Sequence, residues 1–281
     1  MVETGHVTMI RQMTYRPAER LAATVETMTF DRLRELNDGG TQRADFHVLA
    51  LVDAGHGLLT VDFCQHPLEE RSAVWIPPGA VHQWDDMTEV AGHIVLFVPT
   101  APVTRASREL VGYPEPAAHW SIPDADWPFV DAARNHLLLE ESASSAGLAT
   151  ELPEILLSVL IARLRPPHSG ARFSHPVFRL FRSSVEAHFR EHHDAGYYAR
   201  ALGYAPRTLS RAVQQVTGRT AKGYIVDRIV LEAKRLLAHD RLTATRCANV
   251  LGFPDASNFS VFFRKATGMS PGAWQATLAV A

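Results

Sequence analysis

The chain has 281 residues but only two cysteines, Cys64 and Cys247, far apart and outside any C-x-x-C spacing. That scarcity excludes a disulfide framework and a zinc ribbon, and makes a reduced, cytoplasmic setting the expectation. No stretch approaches the roughly 18 apolar residues that a membrane helix needs. The opening segment MVETGHVTMIRQ likewise lacks an apolar targeting core, so no membrane partner is expected. Charged residues make up 21% and hydrophobic ones 46%, proportions that exclude a disordered chain. Length allows two domains, each able to bury a core.

Net charge is also small, −2, but it conceals a division. From Arg172 onward there are 16 Lys and Arg against 7 Asp and Glu, a balance of +9; the preceding residues carry 12 against 23, a balance of −11. A basic half beside an acidic half is the charge footprint of a nucleic-acid module joined to a non-binding one. Within the basic half one pattern occurs twice. Y-A-R-A-L-G-Y (198–204), L-S-R-A-V (209–213) and Thr217-Gly218 return as C-A-N-V-L-G-F (247–253), F-S-V-F-F (259–263) and Thr267-Gly268. The offset is 49 before the turn and 50 after it, so the second turn holds one extra residue. Two short helical patterns around a Gly-aromatic turn, repeated, predict a tandem helix-turn-helix that reads double-stranded DNA.

The acidic half opens on a weakly patterned region with a possible strand at 21–30. Short apolar segments follow at 46–52, 58–63, 73–76 and 93–98, bounded by Gly, Pro or Asp. Residues 53–57 (D-A-G-H-G) read as a hairpin connection between the first two. Close spacing of short strands predicts an antiparallel β-barrel or jelly roll. In W-I-P-P-G-A-V-H-Q-W (75–84), Pro77-Pro78-Gly79 turns the chain, and His82 and Trp84 then share one face of the next strand. This segment resembles the P-G-x-x-H stretch of the cupin-like ligand-binding domains of bacterial transcription regulators. Such a barrel encloses one small-molecule effector, for which Phe46, His47, His56, Trp75, His82 and Trp84 are the candidate lining residues. Metal-bearing cupins group an H-x-H with a following Glu, but His47 has no second His two residues away, and His56, His66, His82 and His93 are scattered. Neither a metal nor another cofactor is expected.

Two helical stripes come next: Trp127, Val130, Ala133 or Arg134, Leu137 and Leu138, then Leu152, Ile155, Leu156, Val159, Leu160 and Leu164. They suit equally a cover for the barrel or a homodimer interface, since paired readers bind spaced half-sites. R-P-P-H-S-G (165–170) reads as an interdomain linker.

In the basic half, Val177, Leu180, Phe181, Val185 and Phe189 form the stripe of a leading helix. Pro206 suits the first position of a helix that buries Leu209, Val213 and Val216. Arg207, Ser210, Arg211 and Gln214 lie on its opposite face. Arginine can bond bidentately to guanine, glutamine to adenine, and serine to either base. In the second copy Asp255 can cap a helix that buries Phe259, Phe263 and Ala266 and turns Ser257, Ser260, Val261 and Arg264 outward. Between them, 221–239 reads as a single helix with Ile225, Ile229, Ala233, Leu236 and Leu237 buried. Its length of about 28 Å is comparable to the roughly 34 Å between successive major-groove faces of B-DNA.

Residues 201–211 (A-L-G-Y-A-P-R-T-L-S-R), 227–237 (D-R-I-V-L-E-A-K-R-L-L) and 252–271 (G-F-P-D-A-S-N-F-S-V-F-F-R-K-A-T-G-M-S-P) resemble the DNA-binding domain of the AraC/XylS transcription regulators. The resemblance implies seven helices, a recognition helix per subdomain in adjacent major grooves, and contact with RNA polymerase. It implies base reading by Arg207, Ser210 and Arg211, then by Ser257, Asn258 and Ser260. Val261 stands where the family commonly has a basic residue, Ala205 where it often has a capping Ser, and Cys247 where it has an aliphatic core residue. The expected fold is therefore α+β in two domains: residues 1–122 a cupin-like jelly-roll barrel with flanking helices, 123–165 a helical connector, 166–174 a linker, and 175–281 an all-α tandem helix-turn-helix. The expected function is a ligand-responsive activator, with a metal-dependent cupin enzyme carrying an accessory helical domain as the alternative. A repressor without an effector shares the same DNA chemistry.

Overall fold

The computed structural model describes residues 11–14, 24–111, 118–143, 151–164 and 175–278. The proposed linker at 165–170 lies outside them. The chain divides into two compact units, Met1–Ser169 and Gly170–Ala281.

Among the described residues the first unit is built on two five-stranded sheets. One has the order β1 (Arg11–Met13), β3 (Gln42–Ala44), β8 (Val81–Asp86), β5 (Gly57–Val61) and β6 (Cys64–Leu68); the other runs β10 (Ala118–Ser121), β7 (Ser72–Ile76), β4 (His47–Ala54), β9 (Ala91–Phe97) and β2 (Val25–Thr29). Pairing is antiparallel throughout except between β1 and β3, which run parallel. The segment 53–57 is not a hairpin connection: β4 pairs with β7 and β9, while β5 pairs with β6 and β8. The turn carries the chain from one sheet to the other. Gly55, at φ +85°, lies so close to Glu89 that a Cβ would sit 1.8 Å from its carbonyl oxygen, so only glycine fits there. Pro77-Pro78-Gly79 makes a second crossing, from β7 to β8.

Strand β4 is buried on both faces, and its side chains alternate between two cores. Val48, Ala50 and Val52 join Leu59, Val61, Leu68, Val74, Ile76, Trp84 and Ile94 in a cluster drawn from both sheets. Leu49 and Leu51 point the other way, into a cluster with Trp75, Val95, Phe97 and two helices, α3 (Trp127–Ala143) and α4 (Leu152–Leu164). Those helices therefore cover a sheet through Val130, Ala133 and Leu137 of α3 and Leu156, Leu157, Leu160, Ile161 and Leu164 of α4. The α4 stripe is rotated from the sequence reading: Ile155 and Val159 are exposed, and Leu157 and Ile161 are buried. With eight Leu, Ile or Val in thirteen residues, α4 is apolar almost all round, so periodicity cannot choose its inner face. Two short helices, α1 (Phe30–Leu36) and α2 (Arg105–Val111), carry no periodic signal of sufficient length.

The second unit holds seven helices among the described residues: α5 (Pro176–His188), α6 (Ala195–Ala201), α7 (Pro206–Thr217), α8 (Ala221–Ala238), α9 (Ala244–Val250), α10 (Ala256–Thr267) and α11 (Pro271–Leu278). Pairs α6–α7 and α9–α10 have matching lengths, seven and twelve residues each, and the extra residue falls in the second turn. Side-chain caps start most of them. Asp194, Thr220, Thr243 and Asp255 each accept a backbone N–H of the first turn, and Gly218 and Gly268 close α7 and α10 in the left-handed region. Helix α8 buries Ile225, Ile229, Ala233, Leu236 and Leu237 against both pairs, so one core serves the whole unit. In α5 the buried stripe is Phe178, Phe181 and Val185; Leu180 is exposed. Ala266 of α10 is exposed as well, not part of the buried face. Cys247 is buried among apolar neighbours, and burial pushes its thiol up to about 11, the behaviour of a core residue.

Two helix starts lack a side-chain cap, α5 at His175 and α7 at Ala205. Ala205 precedes Pro206 in extended geometry, φ −65° and ψ 142°, and supplies no side-chain acceptor. Ala205→Ser is expected to raise stability by about 1 kcal/mol. A urea midpoint that moves upward at unchanged slope would show it.

Candidate nucleic-acid interface

Helix α7 presents Arg207, Ser210, Arg211 and Gln214 to solvent, while Leu209, Ala212 and Val213 hold its opposite face in the core. The helix starts without an acidic residue in its first turn, and Pro206 sets its entry angle. Arg207 and Arg211 have no side-chain partner among the described residues. Their donors are therefore free for an external acceptor. Gln214 differs: its Nε2 donates to the Gly218 carbonyl at 2.9 Å, so its amide helps finish its own helix.

Helix α10 repeats the placement with less to offer. Asp255 accepts from the Asn258 N–H at 2.7 Å and from its side-chain Nδ2 at 2.9 Å, which ties up the amide expected to read a base. Those bonds hold the Asp255 carboxyl below its usual range. Ser260 is half-buried and donates to the Ala256 carbonyl at 2.7 Å. Ser257 and Arg264 are exposed, and Val261 puts an apolar side chain between them, 57% exposed. Ala256, Ser257, Ser260, Val261, Arg264 and Ser270 line an open concavity of about 330 Å³ on this face. Its hydroxyls and one guanidinium can bond phosphate oxygens or base edges. The two outer faces thus share a scaffold and differ in donors.

The effector residues expected in the first unit separate into three groups. Phe46, His82 and Trp84 line one cavity of about 150 Å³, together with Arg11, Met13, Met28, Leu33, Leu36, Gln42, Val48, Ile94 and Leu96. His47 and Trp75 do not line it, which corrects the expectation. They follow opposite strand parity, on the face turned to α3 and α4, where Trp75 Nε1 donates to His47 Nδ1 at 3.1 Å and Phe97 stacks on the imidazole. His56 is also excluded: it lies exposed in the crossover turn, 3.1 Å from Glu89. Of the remaining lining residues, Arg11 and Gln42 were missed because the sequence before residue 45 has no clear strand alternation. Among the described residues no group of three His, Cys, Asp or Glu is placed to hold a metal ion. No helix among them is long and apolar enough to cross a membrane.

The buried histidines give the first unit a pH dependence. Burial lowers His47 to about 3 and His82 to about 4, so both are neutral when folded, and unfolding at acid pH takes up protons. Stability contributed this way is complete above about pH 6.5 and is lost as pH falls, by roughly 1.4 kcal/mol per pH unit per histidine, until the folded values are reached. His47→Asn should flatten that slope by about one proton between pH 6 and 4. An unchanged slope in pH-dependent urea titrations would contradict the assignment.

Residues 198–277 match the family described as a helix-turn-helix domain. The chain is similar to the HTH-type transcriptional activator RhaR of Pectobacterium atrosepticum, 24% identical over 251 residues, covering 82% of this chain and 84% of that protein. It is similar also to RhaR of Escherichia coli, 23% identical over 246 residues, covering 82% and 85%. Among solved structures it overlaps ToxT from Vibrio cholerae at 12% identity and a TM-score of 0.42, covering 92% of this chain and 99% of that one. The class follows from the matched domain and the relatives: this is a helix-turn-helix, DNA-binding transcription regulator, not an enzyme. More narrowly, the helix-turn-helix domain in its C-terminal region is of the AraC type.

Proposed function

We propose that the chain is a ligand-responsive activator that reads DNA mainly through α7 and anchors through α10. The unpartnered, exposed pair Arg207 and Arg211 carries this reading, with Ser210 between them. Base reading needs donors that are not already used within the protein; α7 offers two guanidiniums, Arg207 and Arg211, and α10 one, Arg264. Ser257, Asn258, Ser260 and Arg264 then act chiefly on the backbone, with Gln214 at the margin of the first site.

In this reading residues 1–122 form a cupin-like jelly-roll barrel that takes a small-molecule effector, 123–165 are a helical connector, 166–174 a linker, and 175–281 the reader. The protein works in the cytoplasm as a homodimer, and activation runs through contact with RNA polymerase, as the name activator on its relatives suggests. Regulation requires that the effector bind two arrangements of the protein with different affinity. Arg211→Ala is expected to relax preference at one base pair by about 1–3 kcal/mol. A competition gel in which discrimination is unchanged would remove Arg211 from base reading.

A further inference from the structure

The cavity of the first unit has a definite polarity. Arg11 on β1 pairs in register with Gln42 on β3, and Gln42 with His82 on β8. Cross-strand partners point to the same side, so these three side chains form one polar row across the sheet, and all three line the cavity. The row grades from an exposed guanidinium through a buried amide to a buried imidazole. The rest of the lining is apolar: Met13 and Trp84 beside the row on the same sheet, with Met28, Leu33, Leu36, Phe46 and their neighbours.

Two observations mark the row as a ligand receptor. His82 is 1% exposed, yet its Nδ1 has no hydrogen-bond partner among the described residues, a cost that a ligand would relieve. Arg11 is the one charged side chain among the described lining residues, and it is held only loosely, 3.5 Å from the Leu36 carbonyl and 3.9 Å from Asp38. An anionic group is thereby favoured over a cation. A sugar is disfavoured, because each buried hydroxyl needs its own partner. Gln42 already donates to Asn37 at 3.0 Å, leaving too few groups for a polyol. A hydrocarbon would leave the row unsatisfied. A cavity of about 150 Å³ lined by apolar side chains is also the size that takes one benzene ring.

We propose that this cavity binds a small amphipathic carboxylate, its head on the Arg11–Gln42–His82 row and its apolar body, about one ring in bulk, against Met28, Phe46 and Trp84. The inference rests on the effector reading above and specifies its ligand class. Neutral at pH 7 because burial lowers it to about 4, His82 in its Nδ1–H tautomer can donate to the carboxylate without burying a second positive charge. The carboxylate oxygens would then accept from Arg11 and His82, and the exposed end of the row is where the charge enters.

The test is calorimetric titration of the full chain with hexanoate and phenylacetate, each beside its neutral amide, and with rhamnose. Either acid should bind at least tenfold more tightly than its amide. Arg11→Gln, at an exposed position that leaves the fold intact, should remove that tenfold advantage while amide binding is unchanged. His82→Asn should weaken acid binding independently. Equal or tighter binding of an amide or of rhamnose, no binding of either acid, or an acid affinity unaffected by Arg11→Gln overturns the proposal. Operator affinity measured with and without saturating acid separates the two claims. Binding through Arg11 that leaves operator affinity unchanged upholds the ligand site and removes the effector role.

Discussion

Gly252→Ala is expected to destabilise the C-terminal unit by about 3 kcal/mol or more, whereas Gly203→Ala at the equivalent turn should cost about 1–2 kcal/mol. Both glycines have φ of +71°, so both substitutions carry the penalty of placing an L side chain in the left-handed region. Only at Gly252 is there also no room. A Cβ there would lie 2.1 Å from the Arg190 carbonyl oxygen, backbone that cannot swing aside, while nothing lies within 4 Å of the corresponding position at Gly203. The contact belongs to the segment between α5 and α6, which also sets the His193 ring 4.6 Å from Phe253. The second reader's turn is therefore seated on the first reader's leading segment, and α8 is not their sole connection. Urea denaturation of the two variants side by side measures the difference. Equal losses would mean that the close approach at Arg190 has no energetic weight.

Glu232→Ala should cost about 3–5 kcal/mol, the effect of breaking a buried ion pair from one side. The Glu232 carboxylate sits inside the unit, 2.9 Å from Arg190 and 3.3 Å from both Arg228 and Arg235. Arg228 also takes Glu186 through its Nε at 2.9 Å and lies 3.9 Å over the Phe189 ring. One acidic side chain thus draws together three guanidiniums, two from α8 and one from the segment that follows α5. Removing it withdraws that carboxylate and leaves the positive charges in place. Glu186→Ala, at a half-exposed position, should cost less, about 1 kcal/mol. Chemical denaturation of both variants decides the point, and a loss below 1 kcal/mol for Glu232→Ala would mean that the cluster is not what fixes α5 on α8.

The two devices explain why the C-terminal unit was more legible in the sequence than the first. Its repeat, caps and turn glycines are local signals, each within a few residues of the feature it produces: Asp255 caps α10, Gly218 and Gly268 end α7 and α10, and the extra residue in the second turn is visible as a change of offset. What the sequence could not supply was contact across distance. Nothing near Gly252 indicates that Arg190 will lie against it, and nothing in the helical stripe of α8 shows that Glu232 will be buried with arginines. In the first unit the same problem reaches the site itself. Strand positions at 46–52, 58–63, 73–76 and 93–98 were readable from their apolar runs, but which strands pair was not, and the turn at 53–57 looks like a hairpin whether or not its strands share a sheet. Once β4 and β7 lie in one sheet and β5 and β8 in the other, His47 and Trp75 face the helices and His82 and Trp84 face the cavity. The short strand β1 and helix α1, too brief for a periodic signal, then bring in Arg11, Leu33 and Leu36.

The same locality accounts for the difference between α7 and α10. Residue types on the outer faces were readable, and they already made the second copy the poorer in donors. The structure adds that Asn258 and Ser260 spend their hydrogen bonds within α10 and that Gln214 does so within α7, which leaves two unused guanidiniums on α7, Arg207 and Arg211, against one on α10, Arg264. The central claim, an asymmetric reader, is tested most directly by measuring the affinity of the full chain for a set of operator duplexes, each with one base pair changed. Wild-type protein and the Arg207→Ala/Arg211→Ala double variant are compared at one salt concentration. The account predicts losses of about 1–3 kcal/mol at base pairs in the groove occupied by α7, smaller losses in the groove occupied by α10, and a flat profile for the double variant in the first groove. Equal or larger losses in the second groove, or a double variant whose profile matches the wild type, would contradict it.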